Sequence, residues 1–138
     1  MTADEYRQLV AEHNAPKRRA KKPRHKESEL QKACVAWFRV RYPKSAKMLF
    51  SVPNGGKRNV FEATIMKSEG VVAGVADLLL LIPRKGFGCL CIEMKAGKGR
   101  QSDLQKEWEA LTTLHGNKYV VVRSREEFEG VVEEYLSG

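Results

Sequence analysis

From residue 27 onward the spacing of apolar and polar positions switches between two periods, and the switches mark the elements. In "ESELQKACVAWFRVRY", Leu30, Cys34, Trp37, Phe38 and Arg41 recur at helical spacing, which predicts an amphipathic helix ending before Pro43. "KMLFSV" reads as a short strand closed by the turn "PNGGKRN", and "VFEATIMKSEG" as a helix that stops at Gly70. "ADLLLLI" is too apolar to be half-exposed, so it reads as a central strand, broken by "PRKGFG" before a second strand, "CLCIEMK". "SDLQKEWEALTTLHG" predicts a helix with Ser102 and Gln105 at capping-box spacing and Gly116 as its stop, its Leu104, Trp108 and Leu111 turned to the core. "KYVVVR" is a further buried strand, and "SREEFEGVVEEYL" a closing helix with Ser124 and Glu127 again at capping-box spacing. The order is α-β-α-β-β-α-β-α, an α/β chain with a mixed sheet flanked by helices. The Asp77 and Glu93 strands are joined by a short hairpin.

Residues 1–26 lack this patterning. "NAPKRRAKKPRHK" places seven Lys/Arg in positions 14–26 with no acidic residue and two prolines, the composition of a solvated, flexible basic tail ahead of one domain at 27–138. The first 28 residues hold 8 Lys/Arg against 4 Asp/Glu, half of the chain's formal charge of +8. Such an excess on a 138-residue chain favours polyanionic partners, with nucleic acid ahead of an acidic membrane because no lipid-anchor signal or amphipathic basic helix stands out, and no apolar run approaches spanning length. Cys34, Cys89 and Cys91 form no CxxC and have no clustered histidines, which excludes a zinc site or a disulfide framework and suits a reducing cytoplasm.

Charge inside the two central strands is what demands chemistry. Asp77 opens one strand, while Glu93 and Lys95 sit late in the other; buried charges need a partner or a metal. Residues two apart on a strand share a face ~6.6 Å apart, so Cys89, Cys91, Glu93 and Lys95 line one face and Leu90, Ile92 and Met94 the other. Fifteen residues lie between Asp77 and Glu93, enough for two strands and a turn. The hairpin then brings the two carboxylates to ~5 Å. Two carboxylates beside a lysine suit a hard cation that keeps positions open for water and phosphate. A Glu–Lys strand-end pair with an unrelated turn-capping aspartate reads the same residues without chemistry. Nearby, "AGKGRQS" carries Lys98 and Arg100 into a helix N-terminus, where phosphate binds readily, and neither it nor "GGKRN" fits a Walker loop. The glycines of "GVVAGVAD" suit a close backbone approach.

Together, "ESELQ", "PNGGKR", "GVVAGVADLLL", "IEMK" and "SDLQKEW", in that order over roughly residues 27–122, resemble the VRR-NUC (virus-type replication-repair nuclease) family of the PD-(D/E)XK nuclease superfamily, a restriction-endonuclease-like fold. Ala76 departs from the proline of the superfamily name, at a position that supplies no ligand. The resemblance implies a Mg²⁺- or Mn²⁺-dependent deoxyribonuclease. It implies Asp77 and Glu93 as metal ligands with the Met94 carbonyl, Lys95 as the catalytic lysine, and Gln105 as the glutamine on the following helix. It also implies a glutamate from the first helix, for which Glu27 and Glu29 compete; at 100° per residue Glu27 falls on the face of Cys34 and Phe38 and Glu29 points away. Asn54, Lys57 and Arg58 are expected DNA contacts, or a simple polar turn. The resemblance further implies a homodimeric Holliday-junction-resolvase-like enzyme acting on branched DNA in a bacterial cytoplasm or that of a virus's host. The competing class is a non-catalytic nucleic-acid-binding module on the same fold.

Overall fold

Leu78, Leu80, Leu90 and Ile92, the leucine-rich runs that the sequence marks as central, are fully buried and lie on neighbouring strands. The computed structural model describes residues 2–14, 23–53, 64–65 and 67–138. Four strands, β1 (Leu49–Ser51), β2 (Leu78–Leu80), β3 (Leu90–Met94) and β4 (Lys118–Val122), form one sheet in that order. β1–β2 and β2–β3 are antiparallel and β3–β4 parallel, so the sheet is mixed as expected. The parallel pair needs a crossover, and the helix α3 (Asp103–Leu114) supplies it.

Period-two alternation divides the sheet into two faces. Leu90, Ile92 and Met94 point to one, where α2 (Pro23–Arg41) and α4 (Arg125–Leu136) contribute Cys34, Phe38, Phe128, Val132 and Tyr135 to the core. Trp37 packs edge-on to Phe128, tying the two helices, and the Tyr135 hydroxyl donates to the Ile82 carbonyl at 2.6 Å. α3 covers the other face over β3 and β4, with its polar stripe inward. Thr112 is buried, Gln105, Trp108 and Glu109 are half-buried, and Trp108 packs on the Tyr119 ring. The expectation of a Leu104–Trp108–Leu111 core stripe is therefore corrected: Leu104 and Leu111 are 54% and 48% exposed. That side of the sheet carries Cys91, Glu93 and Tyr119, and a helix covering it must answer polar groups with polar groups.

The β2–β3 hairpin turns at Lys85 and Gly86, both at positive φ (52° and 84°), between Arg84 and Phe87, which exchange backbone bonds of 3.2 and 2.8 Å. Two positive-φ residues make the turn that matches strand twist. Lys85 is held there by its ammonium, which donates to the Glu134 carbonyl and carboxylate and to Ser137 at the end of α4. Between this turn and the ladder, the three residues 81–83 face only the two residues 88–89, an irregularity of the bulge kind. Pro83 lies in it, where no ladder donor is needed.

The ends of the chain and the connections differ from the sequence reading in three respects. A helix, α1 (Ala3–Asn14), occupies part of the expected tail, opened by Thr2 and Glu5 in a reciprocal capping box. α2 begins at Pro23, so the expected boundary at 27 falls inside it; proline at a first helical position needs no N–H partner. Finally, a 3-10 segment, Pro43–Met48, precedes β1 and takes the first residues of "KMLFSV". Thr64, Ile65, Lys67 and Ser68 are helical, with a turn through Gly70 as predicted; the rest of that predicted helix and the 54–59 turn lie outside the described residues.

Gly74 fixes the approach of the 71–76 connection to α3. Its φ is +86°, and a Cβ there would meet the Leu104 carbonyl oxygen at 2.5 Å. Gly74→Ala is expected to cost about 2–4 kcal/mol, from a left-handed backbone plus a backbone clash, read as a lower urea midpoint with an unchanged slope.

Candidate active site

The register Leu78↔Ile92 makes Asp77 the next position opposite Glu93, at the end of the paired segment. There the side chain takes over from the ladder: Asp77 Oδ2 accepts the Met94 N–H at 2.8 Å, while the Asp77 carbonyl accepts from Val52 N–H at 3.0 Å. The aspartate is thereby tied to both neighbouring strands, and its carboxylate is aimed across β3.

Glu93 sits in a strand whose five residues are all buried and is itself 1% exposed. Its Oε1 accepts from Gln105 Nε2 at 3.1 Å and its Oε2 from the Tyr119 hydroxyl at 3.4 Å. Gln105 has both roles that the sequence allows it. Its Oε1 accepts the Ser102 N–H at 2.8 Å, closing the capping box of α3, and this leaves its NH₂ group to face Glu93. Burial pushes the Glu93 carboxyl up to about 9; the hydrogen bond and charge of Asp77 act in the same direction, and Lys95 and the Tyr119 hydroxyl oppose them.

Lys95 shares this face and is also buried, at 9% exposure, its N–H donating to the Val122 carbonyl at 3.0 Å. The loop after it is drawn in by Arg123, whose Nη1 donates to the Gly97 and Gly99 carbonyls at 3.0 and 2.8 Å. Lys98 and Arg100 stand exposed on that loop. Gly99 lies where this loop meets α2: a Cβ there would sit at ordinary contact distance, 3.6 Å from Glu27 Oε1 and 3.7 Å from Lys95 Cδ. Glu27 thus borders the same space as the Lys95 stem, whereas Glu29 is exposed and bonded to His25 at 3.1 Å. Asn54, Lys57 and Arg58 lie outside the described residues.

Among the described residues no group of three or more His, Cys, Asp or Glu side chains is gathered closely enough to hold a metal ion. What the geometry does gather is one pair of carboxylates. Two carboxylates in opposed register, the charge of Asp77 helping to raise the Glu93 carboxyl, are hard-oxygen donors suited to a divalent cation, which would relieve the repulsion between them when both are ionised. Met94 adds a backbone donor. Its N–H points at Asp77, and in a strand a residue's C=O points to the same edge as its N–H. The donor set therefore fits Mg²⁺ or Mn²⁺. Cys34, Cys89 and Cys91 are free thiols and form no disulfide.

A model of the VRR-NUC domain matches residues 5–126, most of the chain. The chain belongs to the VRR-NUC family. A solved structure named "VRR_NUC domain protein" has a TM-score of 0.71 to it at 26% identity, covering 81% of this chain and 88% of that one. A comparison with curated proteins finds no match. The VRR-NUC chain is thus a nuclease-type domain, a hydrolase by class, built on a mixed four-stranded sheet flanked by helices. Its family match takes in residues 5–26, which the sequence reading sets apart. Among its described residues no helix is long and apolar enough to cross a membrane.

Sequence reasoning did not single out Tyr119, Gln101 or Arg123. Tyr119 and Lys118 are the two polar-tipped side chains in "KYVVV", and only the parallel pairing Cys91↔Tyr119 shows that the tyrosine shares the Glu93 face.

The perturbed carboxyl has a measurable sign. Glu93 has an unfolded value of 4.5 and a folded value of about 9, so its contribution to stability is full below 4.5 and is lost progressively as pH rises toward 9. In EDTA, the melting temperature is expected to fall across pH 5–9, by a few degrees per pH unit. Glu93→Gln, neutral at every pH, is expected to flatten that slope and to melt higher than wild type at pH 8.

Proposed function

We propose that the chain is a metal-dependent DNA endonuclease of the PD-(D/E)XK type, cutting branched DNA as a homodimer. The observation that carries this reading is the carboxylate pair of half-buried Asp77 and buried Glu93, with buried Lys95 on the same strand face as Glu93, in a VRR-NUC domain. Asp77, Glu93 and the Met94 carbonyl would hold Mg²⁺ or Mn²⁺, with Glu27 at the rim. The cation, when bound, supplies charge stabilisation on a phosphoryl oxygen and lowers the pKa of a coordinated water.

The chain's own groups do the rest. The Asp77–Met94 N–H bond and the Gln105–Glu93 bond fix the two carboxylates before substrate arrives, so no reorganisation is needed at the moment of reaction. Lys95 places a positive group beside them, suited to orienting the attacking water and to offsetting charge on the expanding phosphate. Lys98 and Arg100 stand exposed next to the site, where they can hold the DNA backbone. The excess of +8 supplies attraction to any nucleic acid and no sequence readout. Branched DNA is the substrate that the family resemblance implies, and it sets the oligomer: cutting two strands of a junction evenly takes two sites related by a two-fold axis, which a homodimer would supply. A second reading, a nuclease-like module that binds DNA without cutting, draws on the absence of a three-side-chain metal cluster among the described residues.

The deciding experiment is cleavage of matched four-way-junction, nicked, linear-duplex and single-stranded DNA in Mg²⁺, Mn²⁺ or EDTA. Cutting of the junction is expected to need metal, to vanish in Asp77→Ala, and to fall about 10²-fold or more in Lys95→Ala. Equal binding by wild type and both variants, with no cutting of any substrate, would leave only the binding module. Efficient cutting of linear duplex alone would remove the branched-DNA assignment and keep the nuclease.

A further inference from the structure

Glu93 is too deeply buried for water to correct its orientation, so each of its oxygens depends on the protein groups that reach it. Oε1 is fixed from α3 by Gln105. Oε2 is reached on the same face of the sheet, at 3.4 Å, by the hydroxyl of Tyr119 on the neighbouring strand β4. The direction of that second bond is decided one residue further out. Gln101 Nε2 lies 3.1 Å from the Tyr119 hydroxyl and 3.0 Å from Glu109 Oε1. An amide nitrogen only donates, so the tyrosine oxygen accepts there and its own proton is left for Glu93. Glu109, held through the other proton of the same amide, keeps Gln101 in that orientation. The Trp108 ring, its centroid 6.1 Å away and inclined 57°, packs against Tyr119 and limits where the phenol can go.

We infer that Tyr119, oriented by Gln101, is a positioning residue for Glu93: it holds the carboxylate in the plane in which the pair with Asp77 can take a divalent cation. The inference rests on the metal reading proposed above. Gln105 and Tyr119 then act as two clamps, one from the helix and one from the neighbouring strand, each donating to a different oxygen of the carboxylate. A tyrosine that merely filled the sheet would need its ring and not its hydroxyl. Deleting the hydroxyl alone leaves Oε2 without its donor on a side chain that is buried in the metal-free fold. Groups that orient a metal-binding side chain in this manner typically weaken metal binding about 10- to 100-fold when removed.

The test is Mn²⁺ titration of the full chain by calorimetry at one fixed pH, for wild type, Asp77→Ala, Tyr119→Phe, Gln101→Leu and the Tyr119→Phe/Gln101→Leu double variant. Melting temperatures are recorded alongside. Tyr119→Phe is expected to raise the Mn²⁺ dissociation constant about tenfold or more. Gln101→Leu should act in the same direction by less. The double variant should bind no more weakly than Tyr119→Phe, because the two residues act in series. Gln101→Leu also carries the test alone if Tyr119→Phe does not fold. A Tyr119→Phe dissociation constant within twofold of wild type, whatever its melting temperature, would overturn the inference and leave the metal site standing. Fully additive losses in the double variant would overturn the serial arrangement. No Mn²⁺ binding by wild type, or binding unchanged in Asp77→Ala, would remove the metal reading itself and the role of Tyr119 with it.

Discussion

A glutamate in the middle of a buried strand is the constraint around which the rest of this fold is arranged. β3 is closed on both faces, and an ionisable side chain in it is costly unless every neighbour is chosen for it. Asp77 faces Glu93, Gln105 and Tyr119 bind its two oxygens, and Lys95 lies two residues on along the same face. Each of these groups comes from a different stretch of the chain. The site is thus a product of the sheet's topology rather than of any one loop.

The same constraint explains the orientation of α3. A helix laid on an apolar sheet would turn its leucines inward, whereas α3 turns Gln105, Trp108, Glu109 and Thr112 to the sheet and leaves Leu104 and Leu111 largely outside. Its capping box serves both ends of this arrangement. Closing the helix N-terminus occupies the oxygen of Gln105, and the nitrogen is left to the buried carboxylate. Local helix stability and the polarity of the site are therefore set by one side chain, with Gly74 allowing the neighbouring connection to come within reach of that first turn.

Much of this was legible from residue order. The alternation in "CLCIEMK" separates Glu93 and Lys95 from Ile92 and Met94, and the length of the hairpin brings Asp77 opposite Glu93. Helical phase favours Glu27 over Glu29, and the structure places Glu27 beside Gly99 and Glu29 with His25. What periodicity could not convey is which face of a helix meets which face of a sheet. Leu104 and Leu111 have the spacing of a core stripe, and only the polarity of their would-be partners turns them away. The N-terminal helix was hidden for another reason: its signal is local, the Thr2–Glu5 capping pair, and the basic run beyond it dominates the composition. Tyr119 was hidden because its neighbour in space, β3, is distant in sequence and joined to it only through the parallel pairing.

The unequal stretch next to the hairpin turn acts as a phase shifter. Counted back from Arg84 and Phe87 without it, Asp77 would fall opposite Met94, and Leu78 opposite Glu93. Every side chain of β2 would then present the wrong parity to β3, with leucines among the polar groups and the aspartate among the apolar ones. One surplus residue between 81 and 83 restores the parity. The chemistry at one end of the hairpin is thus timed by a counting irregularity at the other, several residues away, in a segment that touches neither carboxylate.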